Sequence, residues 1–230
     1  MNSPLYSANT FEELGLDENL LRGIYAMKFV KPSKVQARAL PLLLSNPPQN
    51  LIGQSQSGTG KTAAFALTML KRVDPTIPGV QAICLAPTRE LARQILDVVQ
   101  AMGQFTNVTS SLAGREAQVG QRSAAGPITS SILIGTPGTI LDLERRRQLD
   151  FSSVRLYVLD EADVMLDRQG LGVQSLRIKA MCPADVQTVL FSATFTPQVV
   201  EFAHAIAPNA NSFTLKVDEL TVDAIKQYYI

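Results

Sequence analysis

The densest run of chemistry-bearing residues is Ser55-Gln56-Ser57-Gly58-Thr59-Gly60-Lys61-Thr62. Its glycines allow the backbone to curl so that successive N–H groups converge on an anion. A helix starting at Lys61 would turn its positive end towards the same point. Lys61 could then reach the outer phosphates of a nucleotide, and the Thr62 hydroxyl could hold Mg²⁺. The Gly-Lys-Thr ending is the core of a P-loop, with Ser55 where the general pattern has glycine. The rival explanation is a flexible Gly/Ser turn that merely precedes a lysine. A short apolar strand before it, Leu51-Ile52, and a helical pattern after it argue against that.

A second cluster, Asp160-Glu161-Ala162-Asp163, follows the apolar run Val154 to Leu159. A carboxylate at the tip of a buried strand is costly unless a cation or a donor satisfies it. Beside a phosphate loop, Asp160 would bind magnesium through water, because that ion keeps part of its hydration shell. Glu161 would orient and deprotonate an attacking water, since phosphoryl transfer asks mainly for positioning and charge neutralisation. An acidic helix start, favoured by the helix dipole, is the plainer alternative.

These residues need a scaffold. Helical spacing runs from Leu14 to Tyr25, and a second helix is predicted to begin near Ser33, before a turn at Asn46-Pro47-Pro48. Strands are predicted at Leu51-Ile52, Val80–Ala86, Val108–Leu112, Ile132–Ile134, Val154–Leu159, Val186–Phe191 and Phe213–Val217, with helices between most of them. Alternation of this kind implies parallel pairing through right-handed crossovers. The expected fold is α/β, a mostly parallel twisted sheet with helices on both faces, and working residues just beyond the strands' carboxyl ends.

Composition agrees. Of 230 residues 46% are hydrophobic and only 18% charged, which suits a sheet buried on both faces. The net charge of +1 gives no sign of a general affinity for nucleic acid, so any such contact must come from a local site or from a second domain that shares the load. Cys84 and Cys182 read as small hydrophobes in a reducing compartment. No run approaches the roughly 20 apolar residues of a membrane span, and a soluble intracellular monomer is expected. His204 reads as structural, and Arg145-Arg146-Arg147 as a helix end, with an RNA or partner patch as the lesser reading.

Asp160-Glu161-Ala162-Asp163 also spells a family signature, and the chain resembles the N-terminal RecA-like domain of DEAD-box RNA helicases. Phe11, Phe29, Lys31-Pro32-Ser33-Lys34-Val35-Gln36 resemble the adenine-reading Q motif; Pro87-Thr88-Arg89-Glu90-Leu91-Ala92 motif Ia; Thr136-Pro137-Gly138 motif Ib; and Ser192-Ala193-Thr194 motif III. The resemblance implies ATP and Mg²⁺ as cofactors. Phe29, Lys31 and Gln36 would join residues 55–62 in binding nucleotide, with Lys61, Asp160, Glu161, Ser192 and Thr194 catalytic and Thr62 and Asp160 on the metal. Pro87, Thr88, Arg89, Glu90, Thr136, Pro137 and Gly138 would hold RNA. Chemistry agrees: a carboxamide such as Gln36 can pair with adenine's N6 and N7 edge, and Phe29 can stack on the base. Simple helix capping by Thr88 and Thr136 is an alternative that can coexist with RNA contact.

Two features depart from the pattern. Thr139 stands where many relatives carry arginine, and Ala113-Gly114-Arg115 replaces a Gly-Gly pair, leaving Gly114 and Arg115 as weaker RNA candidates. A finer resemblance, to mRNA-export helicases of the nuclear pore, rests on Ser3-Pro4-Leu5-Tyr6-Ser7-Ala8, Ile24-Tyr25-Ala26-Met27-Lys28-Phe29, Asn46-Pro47-Pro48 and Val222-Asp223-Ala224-Ile225-Lys226-Gln227. It implies remodelling of RNA–protein particles, nucleoporin and export-activator partners, and a place in cytoplasm and nucleus, at the pore's cytoplasmic face. Arg177 and Lys179 are expected on a helix that could meet a partner or simply be solvated.

The predicted organisation is a leader and Q-motif region at 1–36, a RecA-like ATP-binding domain at 37–218, and a linker at 219–230 towards a second RecA-like domain. The resemblance implies that this second domain supplies an arginine finger, so the isolated domain is expected to be nearly inactive as an ATPase. The rival functions are another P-loop NTPase and a partner-docking module without chemistry.

Overall fold

The computed structural model describes residues 7–56, 58–114, 126–168 and 170–214. Ser57, Arg115, Val217, residues 219–230 and the string 222–227 lie outside them, as do residues 3–6.

Among the described residues, seven strands form one sheet in which every pairing is parallel. In chain order they are β1 Leu51–Gln54, β2 Ala82–Leu85, β3 Ser110–Leu112, β4 Ile132–Gly135, β5 Leu156–Leu159, β6 Gln187–Ser192 and β7 Asn211–Thr214. Their spatial order is β3-β4-β2-β5-β6-β1-β7. The phosphate loop after β1 therefore sits beside the end of β6, with the acids after β5 one strand further on.

The helices are α1 Glu18–Ala26, α2 Lys34–Leu43, α3 Lys61–Arg72, α4 Arg89–Gly103, α5 Pro137–Arg145, α6 Ala162–Asp167, α7 Leu171–Met181 and α8 Pro197–Ile206. Side chains alternate across a strand, so each apolar run feeds two cores. Ala82, Cys84, Leu156 and Val158 face the core under α1–α4. Ile83, Leu85, Tyr157 and Leu159 face the core on the opposite side, which α5–α8 cover. This is why the strands read as unbroken apolar stretches.

The predicted helix from Leu14 to Tyr25 is in fact two pieces. A 3-10 turn at Glu12–Leu14 is closed by Gly15 in the left-handed region (φ 64°), and Asp17 then caps α1 by accepting from the Leu20 N–H. Spacing could not show the break, because Leu14 and Leu16 still pack against the core from outside the helix. Gly23 lets α1 lie directly on α4: a Cβ there would meet the Met102 carbonyl oxygen at 1.9 Å. The last strand is also displaced, starting at Asn211 rather than Phe213, because the Asn211 N–H bonds to the Asn50 carbonyl and fixes its start beside β1.

A polar knot closes the amino end of the sheet. Arg72 donates to the carbonyls of Leu43 and Ser45 and to Gln187 Oε1, while Gln187 Nε2 donates to Leu43 and Gln49. It fastens the turn before β1 to α3 and β6, which holds the phosphate loop's strand in place. Burial pulls the Arg72 guanidinium below its ordinary pKa. No helix of the described residues is long and apolar enough to cross a membrane.

Candidate nucleotide and RNA site

The loop after β1 curls because two of its residues adopt backbone angles that favour glycine: φ is 81° at Gly58 and 94° at Gly60. Gly60 is needed for a second reason. A Cβ there would lie 2.7 Å from Gln36 Nε2 and 2.8 Å from Ser33 Oγ. Ser55, in the glycine position of the general pattern, is buried, and its hydroxyl bonds to that of Thr59 across the loop. A serine therefore braces the curl. Gly60 caps α3 without any side-chain bond, so the helix's first N–H groups remain directed at the loop.

The Q-motif region packs onto this loop. Lys28 (φ 65°) turns the chain at the end of α1 and delivers Phe29 to the cleft. Ser33 and Gln36 form a capping box at the start of α2. Ser33 Oγ also donates to the Thr59 carbonyl at 2.9 Å, and Gln36 Nε2 to the Gly60 carbonyl at 3.1 Å. Gln36 is thus buried with both ends of its carboxamide engaged, whereas Lys31 is exposed.

Phe29, Gly58, Gly60, Lys61, Thr62, Asp160 and Glu161 line one cleft of about 340 Å³. The Lys61 ammonium lies 3.0 Å from Asp160 Oδ1, and both side chains are buried. The other oxygen, Asp160 Oδ2, is buried without a hydrogen-bond partner among the described residues. Burial raises the Asp160 carboxyl above its ordinary pKa, although Lys61 pulls the other way. Burial, then the Asp160 charge, raises Glu161 as well. Glu161 holds a left-handed backbone (φ 54°) that points the chain sharply into α6. Non-glycine residues there carry strain and cluster at working sites.

Asp163 makes hydrogen bonds to residues at and beyond the end of β6. Its Oδ2 accepts from both the N–H and the hydroxyl of Thr194, each at 2.9 Å, while Ser192 Oγ accepts from the Asp163 N–H. Burial pushes the Asp163 carboxyl up, but these bonds outweigh it and hold it below its ordinary pKa. The Gln54 amide adds a 3.4 Å link from the end of β1 to the Ala193 carbonyl.

The remaining polar residues gather at the carboxyl ends of β2, β3 and β4. Pro87 is buried, and Arg89 and Glu90 are exposed at the start of α4. Thr88 caps that helix by accepting from the Leu91 N–H. Thr136 makes no such cap; its hydroxyl bonds to that of Thr139 instead. Pro137 and Gly138 open α5, and Gly114 (φ 131°) stands beside Arg89 and Thr139. The expected RNA residues that are described thus share one end of the sheet. They form a row apart from the cleft lined by Lys61 and Asp160, joined to the acid cluster by Arg168, which follows α6 and reaches the Pro87 carbonyl at 3.4 Å.

With this geometry in place, the comparison with protein families is decisive: the DEAD/DEAH box helicase profile matches residues 33–202. The chain belongs to the DEAD/DEAH box helicases. Among similar members of that family is the ATP-dependent RNA helicase dbp5 of Schizosaccharomyces pombe, 59% identical over 229 residues, covering 100% of this chain and 45% of that protein. The chain spans about half the length of the curated relatives it matches. Saccharomyces cerevisiae Dbp5 bound to RNA and ADP–BeF3 superposes with a TM-score of 0.86 at 57% identity, over 96% of this chain and 55% of that one. A Dbp5 variant bound to Nup159, a Gle1 variant, IP6 and ADP gives 0.82 at 57% identity, over 89% and 54%.

Sequence reasoning missed the α4 wall of the cleft, where Leu91, Gln94, Ile95 and Val98 complete the lining. Their spacing along one helical face was the available signal. It also missed Arg168, for which no motif exists. Arg177 is exposed on α7 as expected, and Lys179 is half-buried.

Proposed function

We propose that this chain is the first motor domain of an ATP-dependent RNA helicase, which binds ATP with Mg²⁺ and the backbone of single-stranded RNA to remodel RNA–protein complexes in mRNA export. The buried Lys61–Asp160 pair, with one carboxylate oxygen left over beside the start of α3, carries the nucleotide part. An orphaned buried oxygen is what a hydrated divalent cation would satisfy, and Thr62 lines the same cleft. Magnesium bound there would neutralise charge on the outer phosphates.

The chain's own residues do the rest. The N–H groups of residues 55–60 and the start of α3 cradle phosphates, Lys61 reaches the outermost of them, and Phe29 stacks on the base. Gln36 reads the adenine edge through its remaining N–H while bracing the loop at Gly60. Glu161 holds and deprotonates the attacking water; its raised pKa suits a base. Ser192 and Thr194 report the state of Asp163 to the RNA row, in which residues 87–90, Gly114, Arg115 and 136–138 grip the sugar-phosphate chain. The motor domain proper is residues 37–218, preceded by the leader and Q-motif region at 1–36 and followed by a linker at 219–230 towards a second RecA-like domain.

The mRNA-export reading, with a nucleoporin and an export activator as partners, cytoplasm and nucleus as location and the pore's cytoplasmic face as workplace, is supported by likeness to Dbp5, whose solved complexes include Nup159 and Gle1. An ATPase assay tests the motor reading. Full-length protein should hydrolyse ATP with stimulation by RNA and none by duplex DNA, and the 230-residue chain alone should be slower by on the order of 10³–10⁵ for want of the arginine finger. Glu161→Gln should leave the full-length protein ATP-bound and held on RNA. Turnover in the chain alone equal to that of full-length protein would remove the two-domain reading, and unchanged turnover in Glu161→Gln would remove its catalytic role.

A further inference from the structure

We propose that Arg146 is a phosphate-binding residue of the RNA site, sharing one backbone phosphate with Arg89 in the cleft beside Gly114 and Thr139. The inference rests on the RNA reading above and adds a residue to it that no motif contains.

Four residues of α5 and its end, Thr139, Asp142, Leu143 and Arg146, fall at the spacing of a single helical face. With Arg89, Gly114 and Gln148 they line a cleft of about 160 Å³. Helical side chains lean towards the N-terminus, and here the Arg146 guanidinium folds back one turn to meet Asp142 at 2.9 Å. That brings it up α5 towards the strand ends, where Arg89 and Gly114 stand. A Cβ at Gly114 would lie 3.4 Å from Arg89 Nη2 and 4.0 Å from Thr139 Cγ2, so a side chain there would enter the space between the guanidinium and α5.

Asp142 does not cancel the site. Two guanidiniums against one carboxylate leave the cleft positive, and the Arg146–Asp142 pair is solvent-exposed on both sides, the kind worth little on its own. A guanidinium has five donors in a fixed fork, so Arg146 can keep Asp142 and still offer N–H groups to a phosphate. Thr139 adds a hydroxyl but no charge. In a chain of net charge +1, RNA affinity must come from such local concentrations of cations.

Fluorescence anisotropy of a labelled decauridine RNA, titrated with full-length protein and ADP–BeF3 over a range of salt, tests this. Arg146→Ala should weaken binding about five- to tenfold and lower the slope of log K against log salt by about 0.7, the share of one phosphate contact on a single strand. Adding Thr139→Arg to Arg146→Ala should restore both, since it returns a cation to the same helical face. Arg145→Ala, off that face, should change neither. Normal binding by Arg146→Ala while Arg89→Ala binds weakly would overturn the proposal and leave the RNA row standing. Normal binding by both would overturn the RNA row and this proposal together. Equal losses in Arg145→Ala and Arg146→Ala would reduce the effect to general charge and overturn the proposal too.

Discussion

Lys61 and Asp160 form an ion pair 3.0 Å long between two buried side chains, one opening α3 and the other directly after β5. Removing one partner of such a pair strands the other charge, at a cost of about 3–5 kcal/mol. Lys61→Ala should therefore destabilise the domain by roughly 3 kcal/mol in urea titrations, besides weakening nucleotide binding. Lys61→Met combined with Asp160→Leu should recover much of the stability and none of the binding. A Lys61→Ala domain as stable as the parent would mean that the pair is solvated.

Gly58 and Gly60 both have positive φ, yet they should respond differently to alanine. At Gly58 the Cβ meets open space, so Gly58→Ala pays only for its backbone conformation, about 1–2 kcal/mol. At Gly60 the new carbon also pushes against Gln36 and Ser33. Thermal melts should rank Gly60→Ala clearly below Gly58→Ala. Discrimination between ATP and GTP should suffer only in Gly60→Ala, because only there is Gln36 moved.

The Asp163 carboxyl is held below its ordinary value by donors including Thr194. A depressed acid contributes stability that is present above its unfolded pKa and is lost as pH falls through the folded one. Thr194→Ala removes the hydroxyl donor and keeps the N–H. The expected loss at pH 7 is about 0.5–1 kcal/mol, discounted for exposure of the site. It should vanish in acid, below both pKa values, where Asp163 is protonated in either protein. A loss of the same size at pH 7 and in acid would show that the bond to Asp163 is not its source.

The two thiols should be poor nucleophiles. Burial pushes Cys182 up to about 12, and pushes the fully buried Cys84 well above its ordinary value. At pH 8 the thiolate fraction of Cys182 is then on the order of 10⁻⁴, so iodoacetamide should label the folded chain hundreds of times more slowly than a free thiol. In urea both cysteines should react at once. Rapid labelling of the native domain would contradict the burial of these thiols.

Much of this molecule was legible as a string of residues. Parallel α/β architecture followed from apolar runs alternating with helical spacing. The phosphate loop and the acidic strand end announced themselves because their chemistry depends on adjacent residues, and local sequence can encode adjacency. Thr88 as a helix cap was equally local. Interruption of the first helix at Gly15 was not seen, since apolar spacing continues through residues that leave the helix and still pack.

Tertiary structure alone decided which distant groups meet. Ninety-nine positions separate Lys61 from Asp160, and only the order β5-β6-β1 sets them side by side. The same holds for Gln36 against Gly60, for the α4 wall of the nucleotide cleft and for Arg146 beside Arg89. Local preferences choose helix, strand and turn from a few neighbouring residues. The juxtapositions that make a site come from how a sheet orders its strands and which faces its helices bury, and those are properties of the whole chain.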